Sequence, residues 1–540
     1  KGDGDWLDYA LDISAGAVIT VQNSTITNCT GVASSDGSTS AGVLVSTLYG
    51  AGTEAYVNNN ILTGNTNGIV SGYDNTDTSL TVAHNNDLSG NVSGGVENTS
   101  DTVLVDASAN WWGDNTPAGV AAEVDTDVDY TPWLHDGTDQ SPDPGFQLDL
   151  SHMHVDDDSP QTGTAGRIQE GIDLVTGSTL DIEAGTYDDT MNIEDVTGLT
   201  VNGVDKTTVI IQSSSTLDWE VGGYGSSRNT AVRVVNSTDV VLQNMTMDFD
   251  LIKGNNIFGI FGWDSALTVD NNILQNMSVD DGSGGYYELC TYFRAPGLTD
   301  VTRADVTFTG NTFIDAGRVG IVTHDYIYAT IDGNTFYKTA PDFGYAIEVG
   351  SQSEGVVSNN VIYGYDTPAA TDGSESAGIY IENAFTGTCC GGPGSQLTKN
   401  VTVENNEVYD CQYAMWIGNG YATFAGDVDI VVSLLTNNFH DNVEGGLIIQ
   451  DQDQADGSSV TVNGSLNTLT DNGDYGYRIF TGSEDNPGDG DITVNLTSET
   501  ITGHDIGMQV EEDTTAGPST SSYSVSVSYT HLRAHETTSH

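Results

Sequence analysis

Positive charge is what this chain most conspicuously lacks. Lys and Arg together number 13 against 77 Asp and Glu, a formal net charge of −64 at pH 7. Such a surface repels nucleic acid and anionic membranes, which excludes both as partners. No run of about 18 apolar residues occurs, so the sequence contains no membrane-spanning helix. The chain opens at Lys1 with no basic-then-apolar leader; it reads as an internal piece of a longer protein, so the missing leader carries no information about export. Cysteine is scarce too. Five residues cannot all pair with one another, and no C-x-x-C or Cys/His ligand spacing appears, so neither a full disulfide framework nor a zinc site is indicated. Cys389 and Cys390 are adjacent, leaving open a vicinal disulfide, two loop thiols, or a bond from one of them to Cys290 or Cys411. Proline is rare, at 11 residues against 64 Gly. With Val, Ile and Tyr recurring in short bursts, that balance predicts many short strands joined by tight turns.

What the chain does have is a repeat. A β-branched or apolar residue is followed by Asn, a spacer, an apolar residue, a turn and a Gly-led or Ala-led apolar burst. Examples are Val57-Asn-Asn-Asn-Ile-Leu with Gly68-Ile-Val, Phe308-Thr-Gly-Asn-Thr-Phe with Gly320-Ile-Val, and Val357-Ser-Asn-Asn-Val-Ile with Gly378-Ile-Tyr-Ile. With Asn60, Asn86, Asn272, Asn311, Asn334, Asn360, Asn406, Asn438 and Asn467 as markers, the tightest spacings are 86 − 60 = 26, 334 − 311 = 23 and 360 − 334 = 26. A period in the twenties with longer intervals is a solenoid carrying loop insertions. Each unit offers three bursts too short for helices, with inward apolar and outward polar residues alternating. A single coil cannot bury its interior; stacked coils pair each strand with neighbours about 4.8 Å away and close a continuous core. Asn suits the corner because it tolerates left-handed backbone and its amide can bond the equivalent amide on the next coil.

These features resemble the right-handed parallel β-helix family, the pectate-lyase-like superfold, over most of the chain. The resemblance implies an all-β solenoid in two tandem modules. Residues 1–134 read as the C-terminal coils of a first β-helix. They end in Asp106-Ala-Ser-Ala-Asn-Trp-Trp-Gly-Asp and Val128-Asp-Tyr-Thr-Pro-Trp-Leu, where the paired Trp111 and Trp112 read as an end cap or as a sugar-stacking platform. Residues 135–150 read as a polar linker with Pro142 and Pro144. Residues 151–515 read as a second β-helix. It opens with an amphipathic capping helix bearing Ile168, Ile172 and Val175 on one face, then Ala184-Gly-Thr-Tyr, an order that resembles the entrance of pectin-esterase and lyase-like domains. Residues 516–540 form a tail. Its last dozen, Tyr529 to His540, hold three of the ten histidines and resemble translated sequencing-adapter read-through; they are set aside, His531, His535 and His540 included.

In this family substrate lies along one flat parallel sheet, which here corresponds to the Gly-led bursts. Alternation turns Ile347, Val349, Ile379, Ile381, Met415, Ile417, Leu447 and Ile449 inward. It turns His324, Glu348, Tyr380, Glu382, Trp416, Gln450, Arg478 and Gln509 outward on neighbouring coils. Carboxylate, aromatic and cationic groups in one stripe are the ingredients of a polysaccharide groove, and equally what any solvated β-helix face carries. A lyase of the superfold would use carboxylates holding Ca²⁺ and an Arg or Lys base, for which Arg294, Arg318 and Arg478 are the candidates. A pectin-esterase-like site would draw on Asp325, Gln450 and Arg478. The family's hydrolase motifs are missing, so no catalytic residue is assigned.

Ca²⁺ is the one cofactor the acidic turns would suit. Asp125-x-Asp127-x-Asp129 has calcium-loop spacing but Tyr130 where an EF-hand loop needs Gly, and Asp451-x-Asp453 and Asp489-x-Asp491 are further pairs. The acidity also resembles adaptation to high salt, where screening suppresses self-repulsion. Asn-x-Ser/Thr triplets such as those at Asn23, Asn244 and Asn400 permit glycosylation, though this composition supplies them by chance. The expectation is therefore an exported, extracellular or cell-surface β-helix protein contacting polysaccharide or a cell-surface glycan. The alternatives are a polysaccharide lyase or hydrolase of the same superfold, or a structural stalk or adhesin.

Overall fold

The computed structural model describes residues 8–31, 40–218, 229–252, 257–277, 288–299, 301–339, 344–367, 375–383, 398–419, 429–451, 459–481, 491–512 and 522–532. The chain divides into two compact units, residues 1–191 with 198–210, and residues 192–197 with 211–540.

In the first unit, Tyr9–Ile13, Ala41–Val45, Asn67–Ser71 and Gly94–Asn98 stack in parallel. A second parallel stack runs Val18–Gln22, Glu54–Asn58, Leu80–His84, Val105–Asp106 and Val128–Asp129. Between them the aliphatic positions Val43, Ile69, Val57, Ala83 and Leu88 close a core that ends on Trp112 and Trp133. Trp112 is fully buried in that core, so it is packing material and no sugar platform. Asp129 likewise faces inward: its carboxylate accepts from the Thr162 N–H and hydroxyl and from Ser159 Oγ. It therefore does not join Asp125 and Asp127 in a calcium loop.

The expected helix is Arg167–Leu174, with Ile168 and Ile172 buried. It stops before Val175, whose extended backbone takes that residue off the helical face. The N-cap position is Gly166, with no side chain to give, and the carboxylate of Asp189 does the capping instead, accepting the Ile168 N–H at 2.7 Å. Gly171 is the point of close approach, since a Cβ there would lie 2.7 Å from Leu180 and 3.0 Å from Val155.

The second unit is a parallel β-helix with three strands per coil. One coil runs Ile327–Asp332, Thr335–Tyr337 and Tyr345–Val349, and the next repeats it as Glu354–Ser358, Val361–Tyr363 and Ala377–Glu382. All three pair in parallel and in register. Core columns follow from that register: Leu274, Phe313, Phe336, Ile362, Val408, Phe439 and Leu469 form one, Ile321, Ile347, Ile379, Met415 and Leu447 another. All are buried. Each contributes about 1.5–3 kcal/mol of burial, repeated coil after coil. Phe313 and Phe336 stack with centroids 4.5 Å apart.

The corners are an amide ladder. Asn311 donates its backbone N–H and side-chain amide to Asn334 Oδ1, and Asn334 does the same to Asn360, Asn360 to Asn406, Asn406 to Asn437, and Asn437 to Asn467. The final acceptor is Glu499 Oε1. Two details correct the sequence reading. The ladder runs through Asn437; Asn438 begins the next strand and is half-buried. The left-handed residue is the one before each ladder Asn, Gly310, Gly333, Asn359, Asn405, Thr436 and Leu466, and Ser498 takes the same conformation before Glu499. A shorter second ladder, Asn442 to Asn472, runs one turn away.

Among the described residues no helix is long and apolar enough to cross a membrane. The last described strand, Ser522–Leu532, pairs in parallel with Asp491–Thr502. Cys290 and Cys411 are buried free thiols, so neither bonds Cys389 or Cys390. Those two residues, Asp453 and Asp489 lie outside the described residues.

With a net charge of −64, the folded chain repels itself at low ionic strength. Its melting temperature is expected to rise between about 10 mM and about 1 M NaCl, as the screening length falls from roughly 30 Å to 3 Å. A flat or falling trend, with a gain from micromolar Ca²⁺ alone, would assign the acidity to calcium sites.

Candidate functional site

The Gly-led strands of the second unit form one parallel sheet, which includes Leu289–Ala295, Val319–Asp325, Tyr345–Val349, Ala377–Glu382, Tyr413–Asn419, Gly445–Asp451, Tyr475–Thr481 and Ile506–Glu512. Its outward side chains stand in register. One row is Tyr292, Val322, Glu348, Tyr380, Trp416, Ile448, Arg478 and Gln509. A second row, two residues further along, holds Glu382, Gly418, Gln450, Phe480 and Glu511.

The face is less open than alternation alone implies. Glu348, Tyr380, Trp416 and Arg478 are half-buried, but His324, Glu382 and Gln450 expose only 6%, 1% and 4%. Val322 and Ile448 interrupt the polar row, and outward aromatics pack on one another. Tyr345 stacks on Tyr380 at 4.6 Å, and Trp416 meets Tyr380 and Tyr413 edge-on at 5.9 and 6.3 Å. The 384–397 insertion lies outside the described residues.

Charge concentrates at the His324 end. His324 Nε2 lies 3.1 Å from Glu348 Oε1 and 3.8 Å from Glu382 Oε1, while Nδ1 meets the Tyr292 hydroxyl at 3.2 Å. Gly350 makes room for this contact, since a Cβ would lie 2.3 Å from Glu382 Oε1 and 2.6 Å from His324 Nε2. Glu382 Oε1 also accepts the Ser351 N–H at 3.2 Å. Beside them Arg294 donates Nε to Asp325 Oδ2 at 2.8 Å and forms an ion pair with the same oxygen through Nη2 at 2.7 Å, its guanidinium 5.6 Å from the Trp263 centroid. Burial pushes the Asp325 carboxyl up, against the pull of Arg294 and His324.

Lys399, which the sequence reading passed over, is fully buried behind the cluster. Its ammonium donates to the carbonyls of Val349 at 2.5 Å, Glu382 at 2.6 Å and Ser351 at 3.3 Å. Burial pushes its pKa down to about 7, opposed by Glu382, Glu348 and Glu354.

One imidazole and two carboxylates converging this closely can hold a divalent cation or move a proton between neighbours; His324, Glu348 and Glu382 have donor atoms all within 4.8 Å. The proposed guanidinium bases fare differently. Arg294 is ion-paired with Asp325 and Arg478 with Glu511 Oε1 at 2.7 Å, so both act as charges and neither as a ready base. The pectin-esterase-like set does not assemble either. Asp325 and Gln450 sit four strands apart, about 19 Å along the sheet, and Gln450 pairs in register with Phe480, not Arg478. Tyr292 and Lys399 were missed: the first sits one coil before the stripe, and the second on a neighbouring sheet.

Comparison with known proteins bears on the fold. No curated protein sequence matches the chain. Among solved structures, the mannuronan C-5 epimerase AlgE6 A-module of Azotobacter vinelandii is 15% identical, covering 68% of this chain and 95% of its own, at TM-score 0.38. The catalytic domain of a GH87 alpha-1,3-glucanase in complex with nigerose is 11% identical, covering 74% and 71%, at TM-score 0.39. The GH136 lacto-N-biosidase of Eubacterium ramulus is 12% identical, covering 69% and 68%, at TM-score 0.35. The family described as "Right handed beta helix region" matches residues 297–492, which include six of the eight strands just named, Val319–Asp325 to Tyr475–Thr481. The fold is a right-handed parallel β-helix.

Proposed function

We propose that the outward face of this sheet contacts polysaccharide, in an exported protein working outside the cell or at its surface. The observation that carries the reading is the in-register row Glu348, Tyr380 and Trp416, neighbours about 4.8 Å apart, abutting the His324 and Glu382 cluster. Half-buried aromatic faces stack on sugar rings, and carboxylates beside them bind hydroxyls or a bridging Ca²⁺. The close approach of His324 to two carboxylates and the Tyr292 hydroxyl favours a second reading, in which the same face is the site of a polysaccharide lyase or hydrolase.

The test is the full chain against a panel of neutral and acidic polysaccharides, followed for binding and for release of reducing or unsaturated ends. Binding without release gives the first reading, binding with release the second, and neither leaves the coils as a structural stalk. With a bound glycan in hand, Trp416→Ala is expected to weaken it by about 1 kcal/mol or more through lost stacking. Glu348→Gln should spare binding unless the carboxylate holds Ca²⁺ or moves a proton. Unchanged affinity in Trp416→Ala would remove the row from the binding surface.

A further inference from the structure

In the first unit, far along the chain from this sheet, three imidazoles and a carboxylate meet where three strands come together. Trp133–Leu134 runs antiparallel to His152–Val155, which runs parallel to Thr179–Ile182. This pairing brings His135, just past the first strand, against His152 and His154 of the second and Asp181 of the third. His135 Nδ1 lies 2.8 Å from His154 Nε2, and His152 Nε2 lies 2.7 Å from Asp181 Oδ2. The donor atoms of all four residues fall within 4.8 Å of one another. The rings lie nearly parallel, with His135 and His152 centroids 3.8 Å apart.

The surroundings aim the ligands. Glu183 Oε1 takes His154 Nδ1 at 2.9 Å, which leaves Nε2 facing the cluster. Asn202 Nδ2 donates to Asp181 Oδ1 at 2.7 Å, which leaves Oδ2 facing inward. Trp133 stacks on the His154 ring at 5.4 Å and fixes its plane. A carboxylate behind a ligating imidazole is how metal sites hold the tautomer and raise ligand basicity. The Asn115 amide, 3.3 Å from His135 Nδ1, is a competing contact.

We propose that His135, His152, His154 and Asp181 form a binding site for a divalent transition-metal ion of the zinc type. Three nitrogens and one carboxylate oxygen suit Zn²⁺ or Co²⁺ and do not suit Ca²⁺ or Mg²⁺, which take oxygen ligands. Four-coordination at Zn–N and Zn–O distances of about 2.0–2.2 Å requires donors roughly 3.3–3.5 Å apart. The two short contacts need open by only about half an ångström as the ion replaces their shared protons. With four protein ligands the site is closed, so its role is structural: the ion clips His135 to two strands and closes the 135–152 connection. His154 is buried while His135, His152 and Asp181 are half-buried, so the ion has a path in.

The probe is the metal alone, on the full chain, in about 1 M NaCl with excess Ca²⁺ to occupy surface carboxylates. The expected result is one equivalent of Zn²⁺ by calorimetry, a rise in melting temperature that Ca²⁺ does not reproduce, and visible four-coordinate bands on Co²⁺ loading. His135→Ala and His154→Ala should each weaken Zn²⁺ by about 100-fold. Glu183→Gln, a positioning residue, should weaken it by about 10-fold with the Co²⁺ bands retained. Binding of several weak equivalents that Ca²⁺ displaces, six-coordinate Co²⁺ bands, or undiminished affinity in the His variants would overturn the site. The Co²⁺ spectrum of the unaltered chain decides the matter if a variant fails to fold.

Discussion

Replacing Asn437 with alanine is expected to cost about 3 kcal/mol in chemical denaturation, while the same change at Asn438 costs less than about 0.5 kcal/mol. The two residues are adjacent and chemically identical, and they differ only in where the chain puts them. Asn437 Oδ1 accepts the backbone N–H and the side-chain amide of Asn406, each at 3.0 Å, and its own Nδ2 donates to Val403 O and Asn467 Oδ1. Alanine strands the Asn406 N–H and withdraws the side-chain donor from Val403 in a dry interior, at about 1–3 kcal/mol for each unsatisfied group. Asn438 points outward from its strand and is half-buried, where substitutions move stability little. Equal losses for the two variants would mean that the corner amides are not what holds successive coils in register.

Lys399→Met is expected to cost a similar amount near neutral pH, because three backbone carbonyls lose their donor and Glu382 and Glu348 lose a neighbouring cation. The deficit should also grow with pH. In the folded chain burial holds the Lys399 pKa down to about 7, against 10.5 for the free side chain. Between those values the unfolded chain binds a proton that the folded chain has released, so stability rises with pH through this window. The methionine variant has no such group, so the gap between the two proteins should widen from pH 7 to pH 10 by about 3 kcal/mol, at 1.36 kcal/mol per tenfold change in proton affinity. A pH-independent gap would mean that the three carbonyls keep Lys399 fully charged.

The solenoid was legible because its signal is periodic and local. Every coil repeats the same corner and the same alternation, so Ile347, Ile379, Met415 and Leu447 could be assigned to the interior, and Glu348, Tyr380 and Trp416 to one outward row. The slip at Asn438 shows the grain of that reading: in a pair of asparagines, composition does not say which one follows the left-handed residue, and here Thr436 takes that conformation. Burial of the outward residues was not legible. His324 and Glu382 are outward by alternation and yet shielded, which depends on what lies over the sheet. The histidine cluster was invisible for a different reason. Metal-site searches look for ligands a few residues apart, whereas His135 and His152 are brought together by an antiparallel pairing, and Asp181 by a parallel strand 29 residues beyond His152.

The amide ladder has a direction. Each asparagine hands its N–H and its side-chain amide to the next coil along the chain and receives the same from the one before. Each also turns an amide hydrogen back to a carbonyl of the preceding coil, Asn334 to Phe308, Asn360 to Ile331 and Asn437 to Val403, so a corner is tied to both neighbours while its backbone N–H is satisfied only by the following one. Glu499 breaks the series: its Oε1 accepts both donors of Asn467 and its Oε2 accepts the Tyr477 hydroxyl, so both oxygens are used as acceptors and the side chain hands no amide on to a further coil. One change of residue type thus ends the relay of amides while the sheet itself goes on, since Ser522–Leu532 still pairs with Asp491–Thr502.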